Sequence, residues 1–325
     1  MSATTASPLR IQPDANGVCR VEFKALGTQC SLQWRGLSEQ NSLQFLNEAL
    51  GWLEQFEAQF SRFRPSSMLS QINAAAGRDW VAVDRAMEAM LDRAAAMHEF
   101  TRGILDATAL PLILLWDWQR QHAQLPSAAE IEKAKSLCDW SLIKRRPGAV
   151  FLPKAGMGLD FGGFGKEYAV DQVTAIAKRH GLSDCLVDLG RDIMALGGNG
   201  RQPFWHVGLQ DGRDPQRCVA GVAASGIAVC ASGNYTRFFE CEGKRYGHIL
   251  DPRSGWPCAK PLHAVTVLAA NALLAGIVST ALVVLGRDEG LHFARATPGI
   301  EACLQDDSGL HFTPRFEQHL IQAAA

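Results

Sequence analysis

The chain has 325 residues, of which 47% are hydrophobic and 20% are charged, and its formal net charge at pH 7 is −1. This composition is typical of a globular protein with enough apolar residues for a large core. A net charge near zero gives no field that would attract nucleic acid or an anionic membrane. We therefore predict neither nucleic-acid binding nor membrane insertion.

The nine cysteines are odd in number and contain no CxxC pair, and the histidines show no HExxH spacing. These patterns favour neither a disulfide framework, nor a thiolate zinc site, nor a histidine metal site on one helix. The first residues have neither the basic nor the apolar stretch of a secretory signal. The expected location is the cytoplasm.

Residues 1–17 are predicted to be a flexible tail, and alternating apolar residues over 19–34 predict a hairpin. Apolar residues at helical spacing over 46–60 predict a long amphipathic helix. A second helix begins after Asp84 as N-cap. A third opens at the capping box that starts at Ser127 and is expected to end near residue 140.

The second half of the chain is rich in strand-like segments. A helix from Gly165 to about His180 precedes them, and an apolar helix over 271–285 follows most of them. This order predicts an α+β fold whose helical and sheet parts meet at a cleft. Residues 18–315 are expected to be one domain, and 316–325 a C-terminal tail.

The stretch "GMGLDFGGFGKEYAVD", residues 156–171, imitates three phosphate-binding motifs and satisfies none. Its DFG triplet follows no kinase catalytic loop. A P-loop would need Gly in place of Asp160 and Ser or Thr in place of Glu167, and the glycine spacing is not that of a dinucleotide fingerprint.

A helix that begins near Gly165 would direct free N–H groups and its positive dipole end at an anion. Asp160 could then accept a hydrogen bond from a ligand, and Lys166 could neutralise a phosphate. The same residues also suit a glycine-rich strand-to-helix turn in which Asp160 is a cap. The segment alone leaves both interpretations open.

The stretch "YGHILDPRSGWP", residues 246–257, predicts a strand with His248 and Leu250 on one face, followed by a polar turn. A histidine at a strand end is suited to proton transfer near neutral pH, and Arg253 could bind a phosphate in bidentate fashion. A structural histidine is the alternative.

Eight segments together resemble the ApbE-type FAD:protein FMN transferases, in order and spacing from about residue 20 to 310. They are "LGTQC", "FSRFRPSSMLSQIN", "GILDATALPLILLW", "LDFGGFGKEYAVD", "LVDLGRDIMALG", "ASGNY", "HILDPRSGWP" and "AGIVSTALVVLG". The resemblance implies an ApbE-like α+β fold with a flavin-binding cleft. It also implies an enzyme that binds FAD and Mg²⁺, splits the pyrophosphate and joins FMN to a Thr or Ser hydroxyl of an acceptor flavoprotein.

The resemblance also implies roles for individual residues. His248 matches the catalytic histidine, which would take the proton of the acceptor hydroxyl. The metal would be bound by the Gly163 carbonyl, Ser279 and Thr280. The residues expected to contact FAD are Leu26, Phe63, Leu105, Asp106, Asp160, Lys166 and Ile249.

The sequence departs from the family pattern at the metal site. The family run A-D-x-x-[AS]-T-A-L has an Asp where this chain has Gly276, so the usual carboxylate is missing. Glu167 and Arg191 stand where the family usually has Gly, and we consider that they could pair with each other. Loss of the carboxylate should weaken Mg²⁺ binding, although substrate phosphates could still hold an ion.

The leading hypothesis is therefore an FMN transferase that acts on a partner protein. The alternatives are a protein that binds FAD but has lost transfer activity, because of Gly276, and a pyrophosphatase that splits FAD to FMN and AMP. A structural or interaction protein on the same scaffold is a further alternative.

Overall fold

The computed structural model describes residues 11–119, 124–214, 216–234, 237–258 and 262–321. The predicted N-terminal tail lies outside them up to residue 10, as do residues 322–325 at the C-terminus. The helices within the described residues are α1 (Glu39–Phe60), α2 (Met68–Ala74), α3 (Arg85–Phe100), α4 (Leu110–Leu115), α5 (Ala128–Lys135), α6 (Gly165–Arg179), α7 (Ala272–Leu285) and α8 (Arg287–Ala296).

The strands form one large sheet and several small ones. In chain order they are β1 (Cys19–Ala25), β2 (Thr28–Trp34), β3 (Val81–Ala82), β4 (Lys144–Arg146), β5 (Ala149–Phe151), β6 (Cys185–Leu189), β7 (Asp192–Leu196), β8 (Trp205–Gln210), β9 (Cys218–Ala224), β10 (Ile227–Ser232), β11 (Phe238–Cys241), β12 (Lys244–Gly247), β13 (Leu250–Asp251), β14 (Trp256–Pro257), β15 (Ala264–Ala269), β16 (Glu301–Asp306) and β17 (Gly309–Phe312).

The large sheet has the order β1-β2-β6-β7-β10-β15-β16-β17, and every neighbouring pair is antiparallel. Strands from both halves of the sequence therefore lie side by side. The observed fold is α+β with a mostly antiparallel sheet, so the predicted fold class is confirmed.

Side chains alternate between the two faces of this sheet along each strand, and each face is buried in its own core. On β10, Ala228 and Cys230 belong to the core beneath the helices, whereas Val229 belongs to a separate core on the other face. Helices α6 and α7 cover the first face. The β8–β9 hairpin covers the second, where Trp205 is buried and donates its indole N–H to the carbonyl of Leu196. The result is three layers.

The capping signals in the sequence correctly identify where helices start. Asp84 accepts from the N–H of Met87 at the start of α3, and the capping box at Ser127 forms as predicted. Helix α5 ends at Lys135, earlier than expected, because the chain passes into a short 3₁₀ turn at Trp140–Leu142. Polar competition for the backbone at Ser136 and Asp139 favours such an end.

The predicted C-terminal tail begins with a residue of the folded core. Phe316 is the first residue of the predicted C-terminal tail, yet it is fully buried and stacks on Phe312. The domain boundaries otherwise stay a prediction. Six of the nine cysteines are buried. Within the described part of the chain, no helix is both long and apolar enough to span a bilayer.

One backbone position carries strain that a substitution can measure. Arg191, at the β6–β7 turn, has φ +74°, a left-handed conformation that costs a non-glycine residue about 1–2 kcal/mol. Its guanidinium donates to the side chain of Gln210. This contact, together with the N–H of Arg191 donating to Asp188 Oδ1 at 2.7 Å, holds the turn in place.

We predict that Arg191→Gly is more stable than Arg191→Ala by up to about 1 kcal/mol, because both lose the Gln210 contact and only glycine relieves the strain. The greater unfolded-state freedom of glycine offsets part of the gain. Urea unfolding of the two variants measures the difference. An alanine variant at least as stable as the glycine variant would contradict the assignment of strain.

Candidate functional site

The glycine-rich stretch before α6 is fixed by Asp160. Its N–H donates to the carbonyl of Ala107 at 2.8 Å, and its Oδ1 accepts from the N–H of Gly162 at 2.6 Å. Its other oxygen forms an ion pair with Arg62. The N-cap residue of α6 is Phe164, so Asp160 closes a turn before the helix and does not cap it.

Phe63 lies next to this ion pair and is the most exposed of the exposed large hydrophobic residues, at 74%. The Arg62 guanidinium lies 4.0 Å from the centroid of its ring. A flat aromatic ring presented to solvent beside a cation is suited to stacking on a planar ligand. Leu26 is connected to the same region through Glu57, which accepts from the N–H of Leu26 at 3.1 Å.

Leu105 and Asp106 come from the loop that precedes α4. Leu105 is buried, and its Cδ2 would lie 3.8 Å from a Cβ on Gly163. Asp106 accepts from the N–H and hydroxyl of Thr108 at 2.7 and 2.6 Å, and from the N–H of Trp140 at 3.3 Å. The Asp106 carboxylate thus shapes its own loop, and its contact with FAD stays a prediction.

Helices α6 and α7 pack antiparallel in a register that two contacts define. Asp171 on α6 accepts from the N–H groups of Ala272 and Leu273 at 2.8 and 3.0 Å. Four residues earlier on α6, Glu167 lies against Gly276, four residues later on α7. Residues four apart share a helix face.

Glu167 fills the space that a side chain at position 276 would occupy. A Cβ built on Gly276 would lie 2.9 Å from Cδ and 3.1 Å from Oε1 of Glu167, and closer still to Cγ. Glu167 is only 7% exposed. This contact cannot be read from the sequence, although Gly276 and Glu167 both depart from the family pattern.

Lys166 points into the same region. Its ammonium forms an ion pair with Asp192, which is 2% exposed, and lies 3.6 Å from Oε1 of Glu167. Glu167 does not pair with Arg191, as we had considered, since the Arg191 guanidinium extends to Gln210 on the neighbouring hairpin. The acid that faces the helix interface therefore meets a lysine of its own helix.

Three hydroxyl groups lie together where β10 ends against α7. Ser232 Oγ is 2.7 Å from Ser279 Oγ and 3.1 Å from Thr280 Oγ1. Ser279 donates to the carbonyl of Gly276 at 3.0 Å. No cluster of three or more His, Cys, Asp or Glu residues that could hold a metal occurs among the described residues. Any metal here would depend on hydroxyl and carbonyl oxygens as well as carboxylate.

His248 follows β12 directly and does not share a strand with Leu250, contrary to the prediction. Its N–H donates to the carbonyl of Arg237 at 3.0 Å, which extends the β11–β12 ladder by one step. Its Nδ1 lies 3.3 Å from the same carbonyl. Because a carbonyl can only accept, this contact favours the proton on Nδ1 and leaves the lone pair of Nε2 free.

Burial, followed by the positive charges of Arg237 and Lys166, lowers the pKa of His248 from 6.5 to about 4. The imidazole is therefore neutral at pH 7 and able to accept a proton. Ile249, next in the chain, is buried, and its N–H donates to Oδ1 of Asn234 at 3.2 Å.

Arg253 does not project freely as a phosphate ligand. Its guanidinium forms two hydrogen bonds with Asp251, at 2.9 and 2.8 Å, within the turn that follows β13. The acid two residues earlier satisfies it locally, a pairing that the adjacent charges in the sequence already allow.

Of the predicted site residues, Lys166, Ser279 and Thr280 lie on the facing helices α6 and α7, and the positive charge of Lys166 acts on His248. Leu105 lies beside Gly163, just before α6. Phe63 and Asp160 are connected through Arg62, and Glu57 accepts from the N–H of Leu26.

Comparison with known proteins places this arrangement in context. The profile of the ApbE family matches residues 26–304. The FAD:protein FMN transferase of Treponema pallidum is 33% identical over 273 residues, which cover 79% of this chain and 75% of that protein. One of Klebsiella pneumoniae is 31% identical over 253 residues, covering 77% and 78%. The ApbE protein of Thermotoga maritima has a similar structure, with a TM-score of 0.84 and 26% identity over 93% of this chain and 99% of that one.

The environment of His248 predicts its titration. We expect an NMR midpoint near pH 4, not the ordinary 6.5, because burial and Arg237 disfavour the charged ring. Since the folded pKa is lowered, the proton-accepting form persists as pH falls to about 4. Arg237→Gln should raise the midpoint only in part, because burial is the larger cause.

The His248 resonance can be assigned by its loss in His248→Gln. Arg213→Gln, which removes an exposed arginine that does not act on His248, is the control and should leave the midpoint unchanged. A midpoint near 6.5 in the unmodified protein would contradict the proposed environment.

Proposed function

The chain belongs to the ApbE family, and from that premise we propose that it splits FAD and attaches the FMN half to a Thr or Ser hydroxyl of an acceptor flavoprotein. Its relatives are FAD:protein FMN transferases, which identifies the chain as a transferase. The observation that carries the finer proposal is His248, a neutral imidazole with a free Nε2, on whose pKa the charge of Lys166 acts. Attack on a phosphate requires a base for the hydroxyl proton and positive charge for the phosphate oxygens.

In the proposed reaction, the acceptor hydroxyl oxygen forms a bond with the phosphorus of the FMN half. The bond from that phosphorus to the bridging oxygen breaks, and AMP leaves with that oxygen. His248 takes the hydroxyl proton at Nε2, while its Nδ1–H stays on the Arg237 carbonyl. The carbonyl holds the ring orientation, so the base points in one direction throughout.

The residues that we propose to contact FAD fall into groups by the kind of contact they make. Phe63 presents its exposed ring to the flavin, and Lys166 offers positive charge to the pyrophosphate. Polar contacts with FAD are assigned to Asp106 and Asp160. The apolar contacts are assigned to Leu26, Leu105 and Ile249.

The donor set suits Mg²⁺, which prefers oxygen ligands. We assign the Gly163 carbonyl and the Ser279 and Thr280 hydroxyls to it, and the buried, unpartnered Oε2 of Glu167 supports the presence of a cation in this region. When bound, Mg²⁺ would neutralise charge on the pyrophosphate oxygens.

Gly276 supports a second candidate, a protein that binds FAD without transferring FMN. Loss of the expected carboxylate on α7 leaves the proposed FAD contacts of Phe63, Leu105 and Ile249 in place, because these residues are on other elements. A pyrophosphatase, in which water replaces the acceptor hydroxyl, is the third.

The transfer test combines protein, FAD, Mg²⁺ and a candidate acceptor protein, followed by intact mass of the acceptor and quantification of AMP. An FMN-sized increase with equimolar AMP is expected. AMP without an adduct would identify a pyrophosphatase, and bound FAD without either product would identify the binding protein.

We predict that His248→Gln lowers the transfer rate by about 10²–10⁴-fold, the usual effect of losing a general base, while FAD binding persists. His206→Gln, which changes an exposed histidine on β8, is the matched control and should transfer at the unmodified rate. Equal rates for the two variants would exclude His248 as the base.

Phe63→Ala should weaken FAD binding about tenfold or more, because stacking on an aromatic ring contributes about 1–3 kcal/mol. Flavin fluorescence titration measures the dissociation constant. Phe100→Ala removes another exposed phenylalanine, at the end of α3, and should leave FAD affinity unchanged. Weakening of equal size in both variants would contradict a stacking role for Phe63.

A further inference from the structure

Glu167 is a buried acid that the proposed chemistry leaves without a role. Its side chain is more than nine-tenths buried, and Oε2 has no hydrogen-bond partner. Oε1 lies 3.6 Å from the Lys166 ammonium, which is beyond hydrogen-bond distance. A buried carboxylate with an unpartnered oxygen is costly, so its retention points to a further compensating charge.

Lys166 cannot supply that compensation alone. Its ammonium is already paired with Asp192, which is even more deeply buried than Glu167. Two buried acids thus share one lysine, and the group has one negative charge in excess.

Gly276 explains why Glu167 points where it does. A glycine in the middle of a helix costs about 0.5–1 kcal/mol relative to alanine, so one in an apolar helix favours a close approach by a neighbour. The neighbour is the Glu167 side chain, which lies in the space of the missing Cβ. Any side chain at position 276 would displace the acid.

The oxygen donors assigned to the metal begin one turn further along α7. Ser279 donates to the carbonyl of Gly276 itself, and Thr280 is joined to Ser279 through Ser232. Gly276 and Thr280 are four residues apart, so Thr280 lies on the face of α7 that Glu167 contacts at Gly276. The carboxylate and the neutral oxygens therefore belong to one interface.

We propose that Glu167 is the carboxylate ligand of a divalent-cation site between α6 and α7, with Gly276 providing the room for it. In this chain the acid comes from α6 instead of α7, where the resemblance places an Asp at position 276. The choice of Mg²⁺ as the physiological ion rests on the proposed function; the presence of a cation site at Glu167 rests on the burial and contacts of that residue.

The test is the binding of Mn²⁺ alone to the full-length protein, followed by the EPR signal of the free ion. Mn²⁺ accepts the same oxygen ligands as Mg²⁺. Glu167→Gln keeps the shape and removes the charge, and should weaken Mn²⁺ binding at least about tenfold, the scale on which even outer partners of metal ligands act. Glu48→Gln removes a carboxylate that pairs with Arg179 at the opposite end of α6 and should change the affinity less than about threefold.

An exchange of residues keeps the test decisive if the single variants fold poorly. Glu167→Gly should lose the site, and the double variant Glu167→Gly with Gly276→Asp should recover it, because the carboxylate returns from the facing helix. Gly276→Asp alone places two acids in one space and should lower the melting temperature, as the predicted overlap with Glu167 requires.

Three results would overturn the inference: an unmodified protein without a Mn²⁺ site, a Glu167→Gln variant with unchanged affinity, or a Glu48→Gln variant that loses as much as Glu167→Gln. FMN transfer measured in parallel separates this inference from the proposed function. Mn²⁺ binding through Glu167 without FMN transfer would support the cation site and contradict the proposed function. FMN transfer without Glu167-dependent Mn²⁺ binding would support the function and contradict the cation site.

Discussion

The antiparallel contact between α6 and α7 is the constraint on which the candidate site depends. Asp171 fixes it by binding the first N–H groups of α7, which satisfies donors that a helix start leaves open and places a negative charge at the positive end of its dipole. Once that end is fixed, helical geometry sets every later pair along the interface. The positions of Glu167, Gly276 and the hydroxyls of α7 follow from one anchoring carboxylate.

The sheet beneath the helices supplies the other half of the site. Asp192 starts β7 and Ser232 ends β10, and the antiparallel pairing of these strands puts Cys230 opposite Asp192. The buried acid therefore rises from the sheet to meet Lys166 on α6, while Ser232 meets the hydroxyls on α7. Burial of the sheet on both faces makes these positions rigid, which favours a preorganised charge arrangement over one formed on ligand binding.

Much of the fold was readable from local signals because each depends on a few neighbouring residues. The N-caps at Asp84 and Ser127 are set by side chain to backbone contacts within one turn. The order of strands in the sheet was not readable, since β2 pairs with β6 across about 150 residues of helices and loops. The resemblance to a family supplied the fold that periodicity alone could not.

The site shows the same division between local and long-range information. The family pattern selects His248 and the α7 hydroxyls by sequence position, but the role of an acid depends on what faces it across a helix interface. Arg253 was expected to be a free cation, and its own neighbour Asp251 satisfies it. Opposite charge alone allows Glu167 to pair with Arg191, but in the structure the Arg191 guanidinium bonds Gln210 and Glu167 lies by Lys166.

The two departures at positions 167 and 276 are most economically understood as one change. Glycine at 276 alone would leave a void in a helix whose neighbours are fully buried, and glutamate at 167 alone would collide with any side chain there. Together they conserve the packed volume and keep one carboxylate at the interface, supplied from the opposite helix. A chain that had merely lost its metal site would have no physical reason to retain a buried acid with an unpartnered oxygen at that place. The missing Asp is thus weak evidence for lost activity, because the charge that it would have supplied is still present within the same pair of helices.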